Sequence, residues 1–274
     1  MSKIYRVKED VLVALANTCR EYGGATKKLT FPRDFEFGIE MSYENGKKAE
    51  YDAFWDLFQQ NGKRGNYMGA FGGIGWTKDT FKPKYPINPN GLIVADYMFY
   101  GFNRISTADI DDLFDFTEFN SKIDFSKSKR FIHTFNNACI KNLYVDCSSA
   151  TEINLAFSAD NGGYLENLTL KVTPTTTQFI SAFNFQYHMK NLTFTEDSEI
   201  AASINFKWST KFTHDSIVSI INALSSTTTG LSVTISKTAV NKAFETSTGA
   251  NDGSTSPEWL ALVATKTNWT INLV

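Results

Sequence analysis

Three short strands of one pattern are predicted in the middle of the chain, where leucine and a second apolar residue alternate with polar residues. They comprise Asn142-Leu143-Tyr144-Val145, Asn167-Leu168-Thr169-Leu170 and Asn191-Leu192-Thr193-Phe194, at intervals of 25 and 24 residues. One such unit cannot bury its own apolar face, but stacked units share a continuous core. We therefore expect the three leucines to face inward, side by side, in adjacent parallel strands.

A phenylalanine near a small residue precedes each strand and marks a predicted turn. These pairs are Phe135 with Ala138, Ala156-Phe157 and Ala182-Phe183. A weaker, earlier copy leads from Met98-Phe99 to a predicted strand at Ile123-Asp124-Phe125. The expected fold class is α+β, a short leucine-rich-repeat-like solenoid with a curved parallel sheet, preceded by a small helical N-terminal region.

The last part of the chain changes to a mixed pattern, from which we expect a helical cap on the repeats. Thr213 is a suitable N-cap for a helix that carries Ile217 and Ile220 on one side. A strand over residues 231–235 and a helix over 237–246 follow. Ser256-Pro257 then starts a further helix, with proline at its first position, and residues 269–273 form a final strand.

The N-terminal third has a different character and divides the chain into three regions. A helix is predicted over residues 8–22, and a second one from Tyr51 to Phe58. Glycine, proline and aromatic residues then alternate, which excludes a long helix or a central strand. We divide the chain into a helical N-terminal segment, an aromatic and glycine-rich connecting region, and a solenoid with a helical C-terminal cap, at 1–49, 50–97 and 98–274.

The composition narrows the classes of function. With 27 Lys+Arg against 29 Asp+Glu the net charge is −2, so no global charge favours nucleic acid or an anionic membrane as partner. The longest apolar run, residues 11–16, is far shorter than the ~20 residues of a membrane span, and no signal peptide is recognisable. The three cysteines are predicted to be buried free thiols in a chain that is not exported.

The basic and aromatic stretch between residues 63 and 85 holds the candidate ligand-binding residues. Its rings and lysines suit a stacking platform for a sugar or a nucleic-acid strand. The alternative is that the rings pack the N-terminal region onto the first repeat. The candidate residues are Tyr67, Trp76, Lys82, Lys84 and Tyr85.

No sequence motif points to catalysis, so we expect a non-enzymatic protein without cofactor, metal or catalytic residues. His133, His188 and His214 are widely separated and fall in different positions of the repeat. The acidic cluster at residues 109–115 suits the first turn of a helix. A paired-carboxylate glycosidase site is the alternative there, because a sequence does not give the separation of the carboxylates.

Two parts of the chain resemble known families. Residues 98–273, with Ala156-Phe157 to Leu170 and Ala182-Phe183 to Phe194, resemble degenerate BspA-type leucine-rich repeats. The N-terminal 40 residues, from Val11-Leu12 to Gly38-Ile39, resemble a segment common in phage tail proteins. The block from Phe54-Trp55-Asp56 to Phe81-Lys82-Pro83-Lys84-Tyr85 is similar to proteins of gut Firmicutes phages and prophages.

The resemblance implies a tail or virion-surface protein with a structural or receptor-binding role. Its N-terminal segment would attach to other tail proteins, and its repeats would meet a bacterial surface glycan or protein, with a homo-oligomer among the open arrangements. Nucleic acid and membranes are not among the expected partners. Two alternatives remain: a bacterial leucine-rich-repeat interaction protein unrelated to virions, and a glycan-degrading enzyme on a solenoid scaffold.

Overall fold

The computed structural model describes residues 95–102, 114–115, 124–159 and 164–274, which form a parallel-sheet β-solenoid of about four turns. The helices are α1 (His214–Ala223), α2 (Lys237–Ala243) and α3 (Pro257–Ala264), with a 3-10 helix at Gly253–Thr255. The strands are β1 (Phe114–Asp115), β2 (Arg130–Ile132), β3 (Ile140–Asp146), β4 (Glu152–Asn154), β5 (Asn167–Lys171), β6 (Asn191–Phe194), β7 (Ile204–Phe206), β8 (Leu231–Ile235) and β9 (Trp269–Leu273).

The strands form three sheets, in which every pair of neighbours is parallel. Their orders are β1-β3-β5-β6, β2-β4 and β7-β8-β9. Leu143 lies opposite Leu168, which lies opposite Leu192, and all three are buried. The predicted stacking of the leucines is therefore confirmed. The solenoid character is also confirmed, but three separate sheets replace the single curved sheet that we expected.

A ladder of phenylalanine side chains runs through the core. The rings of Phe99 and Phe135 are stacked 5.3 Å apart, and those of Phe135 and Phe157 are 5.8 Å apart. Phe183 follows at 5.4 Å and Phe206 at 4.8 Å. Each ring belongs to the next turn, so the ladder follows the spacing of parallel strands, about 4.7–4.9 Å, loosened by the tilt of the rings. The predicted phenylalanine anchors are confirmed, and Phe206 extends them by one turn.

The turns before Phe99, Phe135, Phe157 and Phe183 each contain one residue in the left-handed region of backbone conformation. These residues have φ between +51° and +56° and precede the phenylalanine by two positions: Tyr97, His133, Leu155 and Ser181. The backbone closes a tight turn there, as in the hydrogen bond from Asn136 N to His133 O, 3.2 Å. Successive turns are also joined, for example from Phe157 N to Ala182 O, 2.9 Å. Backbone hydrogen bonds, as well as packing in the core, therefore hold these turns in register.

Two expectations at the ends of the repeat are wrong. The strand of the earliest copy is β1, which pairs with β3, whereas Asp124 and Phe125 are not in a strand. The strand register also continues through the predicted cap, since Ile235 of β8 pairs with Phe206 and Leu273 of β9 pairs with Ile235. The C-terminal helices are therefore connections between turns of the solenoid. A helix can replace irregular chain in such a connection because only the strands must match the core.

The caps of α1 and α3 are confirmed, and α1 has a further role at the edge of a sheet. Thr213 and Ser256 accept hydrogen bonds as N-caps from Ser216 N and Trp259 N. Strand β6 is the last strand of its sheet, and α1 lies against it. Leu192 N donates to Ser216 Oγ at 2.9 Å, and Phe194 N donates to Ser219 Oγ at 2.8 Å. Serine hydroxyls therefore satisfy the edge that a further strand would otherwise pair with.

A second ladder, of asparagine side chains, runs along the starts of the repeated strands. Asn167 Nδ2 donates to Asn142 Oδ1 at 2.5 Å, and Asn191 Nδ2 donates to Asn167 Oδ1 at 2.6 Å. Thr213 Oγ1 ends the row with a 3.1 Å bond to Asn191 Oδ1. The repeated asparagine is therefore explained by contacts between turns.

The remaining expectations are confirmed in part or lie outside the described residues. Cys139 and Cys147 are buried and are not in a disulfide, and burial, with Asp146 nearby, raises the pKa of Cys147 well above its usual value. Helix α2 ends at Ala243, three residues before the expected end. Cys19 and the helices expected over 8–22 and 51–58 lie in the part of the chain that the structure does not describe.

Candidate functional site

The five candidate residues from the sequence, Tyr67, Trp76, Lys82, Lys84 and Tyr85, lie outside the described residues. The same holds for Asp109, Asp111 and Asp112, and for the side chain of Asp115. The expected platform and the alternative carboxylate site therefore stay predictions. The described residues contain two other surface clusters of aromatic side chains, which the sequence analysis did not single out.

The larger cluster, which we call the aromatic platform, consists of Phe185, Tyr187, Trp208 and Lys207. The rings of Phe185 and Trp208 are stacked 4.9 Å apart at 26°, and Tyr187 meets Trp208 edge-on at 5.6 Å. Lys207 Nζ lies 4.8 Å from the centroid of the Trp208 ring. Tyr187 is 44% exposed and Lys207 is exposed. Aromatic and cationic side chains thus meet at the surface.

The register of the solenoid brings these residues together. Phe185 follows the ladder residue Phe183 by two positions, just as Trp208 follows Phe206. Residues at equivalent positions of adjacent turns lie side by side, so two rings far apart in sequence become stacked neighbours. Phe185 itself has φ +56°. This left-handed residue is part of the turn, and its ring is the one that stacks on Trp208.

The charges around the platform are mostly positive. Lys207, Lys211 and Lys237 are exposed and form no ion pair with another described residue. Strand β8 ends at Ile235, opposite Phe206, and Lys237 is the first residue of α2. The nearby carboxylate of Glu166 is already paired, with Lys190 Nζ at 2.6 Å from Oε1. The hydrogen bond from Lys190 lowers the pKa of Glu166, which keeps that pair ionised.

His188 borders the platform and is favoured in its neutral form. Its ring is stacked on Tyr164 at 4.4 Å. Burial lowers the pKa of His188, and the positive charges of Lys211 and Lys190 add to this effect against the opposing charge of Glu166. A neutral imidazole can both donate and accept a hydrogen bond. The residue next to Tyr187 is therefore a polar group suited to a hydroxylated ligand.

A second cluster lies on the first turns. The Tyr97 and His133 rings are stacked 4.9 Å apart, and Tyr100 meets His133 edge-on at 6.0 Å. Arg130 lies close by in sequence, where its Nη2 pairs with the buried carboxylate of Asp96 at 2.7 Å. Burial raises the pKa of Asp96, although the Ile132 N–H and Arg130 oppose the shift. Because Asp96 joins two turns through these contacts, we assign it a structural role.

A groove of about 400 Å³ lies where the pairing of the turns changes. It is lined by residues 177–180, residues 201–203 and Leu231. Gln178 pairs with Glu152 on one side of the groove, whereas β7 pairs with β8 on the other. Ile180 is exposed at its rim. The groove thus marks the step between two of the three sheets.

Comparison with known proteins gives the chain no relatives. No family model, no curated protein and no solved structure matches it. The described residues also hold no group of three or more histidine, cysteine or acidic side chains placed to bind a metal ion. No helix in this part of the chain is long and apolar enough to cross a membrane. The function must therefore be argued from the surface of the solenoid.

The three histidines have different neighbours in the structure. His133 and His188 stack on tyrosines, as described above. His214 lies at the start of α1, with Nε2 2.8 Å from Glu258 Oε1 on α3 and Nδ1 3.2 Å from Asp215 Oδ1. Partial burial would lower the pKa of His214, but the hydrogen bonds with Asp215 and Glu258 outweigh it, so the pKa is raised.

The contact of His214 with Glu258 predicts that the free energy of unfolding depends weakly on pH. The pKa of His214 is higher in the folded state than in the unfolded state. The stabilisation is therefore complete below the unfolded pKa of about 6.5 and is lost as the pH rises through the folded pKa. We expect Glu258→Gln to return the pKa of His214 toward its ordinary value, as measured by an NMR titration of the imidazole. Glu196→Gln, at another exposed carboxylate, serves as the control. An unchanged His214 titration in Glu258→Gln would contradict the assigned contact.

Proposed function

We propose that this chain is a non-enzymatic recognition protein of a phage tail or virion surface, built on leucine-rich repeats of the BspA type. The observation that carries the recognition role is the aromatic platform, which presents an exposed tyrosine and an exposed lysine beside a half-buried ring stack on the solenoid. Exposed clusters of large aromatic side chains are typical of binding surfaces. The assignment to a tail is supported by the resemblance of the N-terminal 40 residues.

Ion pairs in the described part of the chain also support a structural role for the protein. Arg130 pairs with Asp96, Lys190 with Glu166, and Lys171 with Asp197. Each pair joins residues that are 24 to 34 positions apart, in adjacent turns. These ion pairs therefore connect adjacent turns of the solenoid. The two other candidates from the sequence, a bacterial interaction protein and a glycan-degrading enzyme, serve as alternative outcomes of the tests.

The tail assignment predicts that purified phage particles contain the chain. Mass spectrometry of particles freed of host protein tests this directly. Detection only in the host fraction contradicts the proposal and favours a bacterial interaction protein. Breakdown of purified bacterial surface polysaccharide by the purified chain would favour the enzyme.

The N-terminal segment is expected to attach the chain to the particle. A chain that lacks residues 1–49 should lose incorporation into virions but should keep its binding to bacterial cells, because the solenoid is retained. Incorporation is measured by immunoblot of purified particles, and binding by cell pull-down. Circular dichroism of the truncated chain controls for folding. Normal incorporation of this folded truncation contradicts the division of roles.

A further inference from the structure

We infer that the aromatic platform binds an anionic sugar, whose ring packs on Trp208 and Tyr187 and whose carboxylate or phosphate pairs with lysine. This inference rests on the proposed function and names the class of ligand for its recognition surface. It concerns Phe185, Tyr187, Lys207 and Trp208 in the described part of the chain, away from the candidate residues at 67–85. Three features of the surface support it.

The first feature is the shape of the aromatic surface. Phe185 covers one face of Trp208, and Tyr187 stands nearly perpendicular to it, at 70°. The nearly perpendicular rings of Tyr187 and Trp208 form a corner, and Tyr187 is its exposed side. The C–H face of a pyranose ring is apolar and flat enough to pack on such rings, while its hydroxyl groups stay in water. The corner is therefore a suitable seat for a single sugar ring.

The second feature is the position of Lys207. Its ammonium group lies over the Trp208 ring, held by a cation–π attraction that is weak at an exposed site. So weak a contact on a long, exposed side chain is easily exchanged. A sugar can displace the ammonium to the edge of Trp208, where an anionic substituent of the same sugar pairs with it. Lys207 thus links the aromatic and the charged parts of the site.

The third feature is the charge and polarity of the border. Lys211 lies close enough to His188 to lower its pKa, and Lys207 lies over the Trp208 ring. With Glu166 neutralised by Lys190, the described border of the platform is positive. His188, favoured as neutral imidazole, offers a hydrogen bond to a hydroxyl. This combination favours an anionic sugar over a neutral one.

The same features favour a glycan over single-stranded nucleic acid. A nucleic-acid strand needs a basic groove that follows several phosphates, with bases stacked along it. Here Lys207 lies over one cluster of rings and Lys211 lies near His188, on a chain with a net charge of −2. Such a site matches one charged ring of a polymer.

Affinity electrophoresis of the full-length chain tests the inference. Native gels contain polygalacturonate, whose rings carry carboxylates, or a phosphomannan, whose rings carry phosphates. Gels with laminarin, a neutral glucan, provide the comparison. We expect one of the anionic polymers to retard the chain, laminarin not to do so, and salt at about 0.5 M to weaken the retardation by screening.

Two variants locate the binding on the platform. Tyr187→Ala removes the exposed ring, and Lys207→Gln removes the charge while it keeps the side-chain length. Each should raise the dissociation constant on the order of tenfold, as for truncated residues at the centre of a binding surface. Leu260→Ala, at a 53% exposed leucine on α3, is the matched control and should bind as the parent does. Circular dichroism verifies that all three remain folded.

Several outcomes overturn the inference. They are no retardation by either anionic polymer, equal retardation by laminarin, parental binding by both platform variants, or platform-dependent binding of oligothymidylate in place of the glycans. A failure of the proposed function gives a different pattern of results from a failure of this inference. If the chain is absent from particles but polygalacturonate binds through Tyr187, the tail assignment alone is wrong; if particles contain the chain and neither polymer binds, the glycan assignment alone is wrong.

Discussion

Phe157→Ala is expected to destabilise the solenoid by about 3–5 kcal/mol, as for other buried phenylalanines that are truncated to alanine. Phe157 is 0% exposed and lies near the centre of the ladder, stacked on Phe135 at 5.8 Å and on Phe183 at 5.4 Å. The substitution removes apolar surface from the core and leaves a cavity between two rings. Backbone bonds on both sides, from Phe135 N to Ala156 O and from Phe157 N to Ala182 O, limit how far the turns can collapse into it.

Urea denaturation followed by circular dichroism measures this change in the free energy of unfolding. Tyr187→Ala is the matched control, because it truncates an aromatic side chain of the neighbouring turn that is 44% exposed, whereas Phe157 is 0% exposed. We expect little change in stability from Tyr187→Ala. Equal losses in the two variants would show that the ladder is not the main source of stability. A loss of unfolding free energy below about 1 kcal/mol in Phe157→Ala would lead to the same conclusion, because truncation of a buried phenylalanine costs more than this.

The inner surface of the solenoid could be predicted from the sequence because its signal is periodic. Leu143, Leu168 and Leu192 alternate with polar residues and recur at nearly equal intervals, so their register follows from the pattern alone. The ladder could be predicted from Phe135 to Phe183, where each phenylalanine leads to an Asn-Leu strand. Phe206 was missed because a helix follows it, and the Asn-Leu signal is absent there.

The left-handed conformation in these turns could not be predicted, because its signal is not in the residue type. Glycine, asparagine or aspartate normally marks a left-handed residue. Here Tyr97, His133, Leu155 and Ser181 occupy that position. Ladder packing and bonds between the turns impose the conformation on whatever residue is present. Tertiary contacts therefore outweigh the local preference, which only the assembled solenoid reveals.

The aromatic platform was missed for a related reason. Phe185 and Trp208 are separated by one whole turn, and they become neighbours only when Phe183 is aligned with Phe206. An alignment of the turns by their ladder phenylalanines would have placed the two rings together. The regular intervals between the Asn-Leu strands end at Phe194 and so do not reach Trp208.

Ser216→Ala is expected to destabilise the chain by about 1–3 kcal/mol, which is the cost of a buried hydrogen-bonding group left without a partner. Ser216 is 2% exposed, and its hydroxyl accepts from Leu192 N while it donates to Lys190 O at 3.0 Å. Alanine removes the acceptor, so the Leu192 N–H is buried without a partner. Lys190 O keeps the hydrogen bond from Thr213 N, so the loss falls mainly on β6.

Hydrogen exchange locates this effect on the edge of the sheet. In Ser216→Ala, amide exchange should accelerate in peptides that cover Asn191–Phe194, in addition to the lower free energy of unfolding. Thr238→Ala, at an exposed position of α2, is the control and should be neutral or slightly stabilising, because alanine favours helix. Unchanged exchange over β6 together with parental stability would contradict the assigned role. If both effects occur, a serine hydroxyl of α1 protects the sheet edge that a further repeat would otherwise cover.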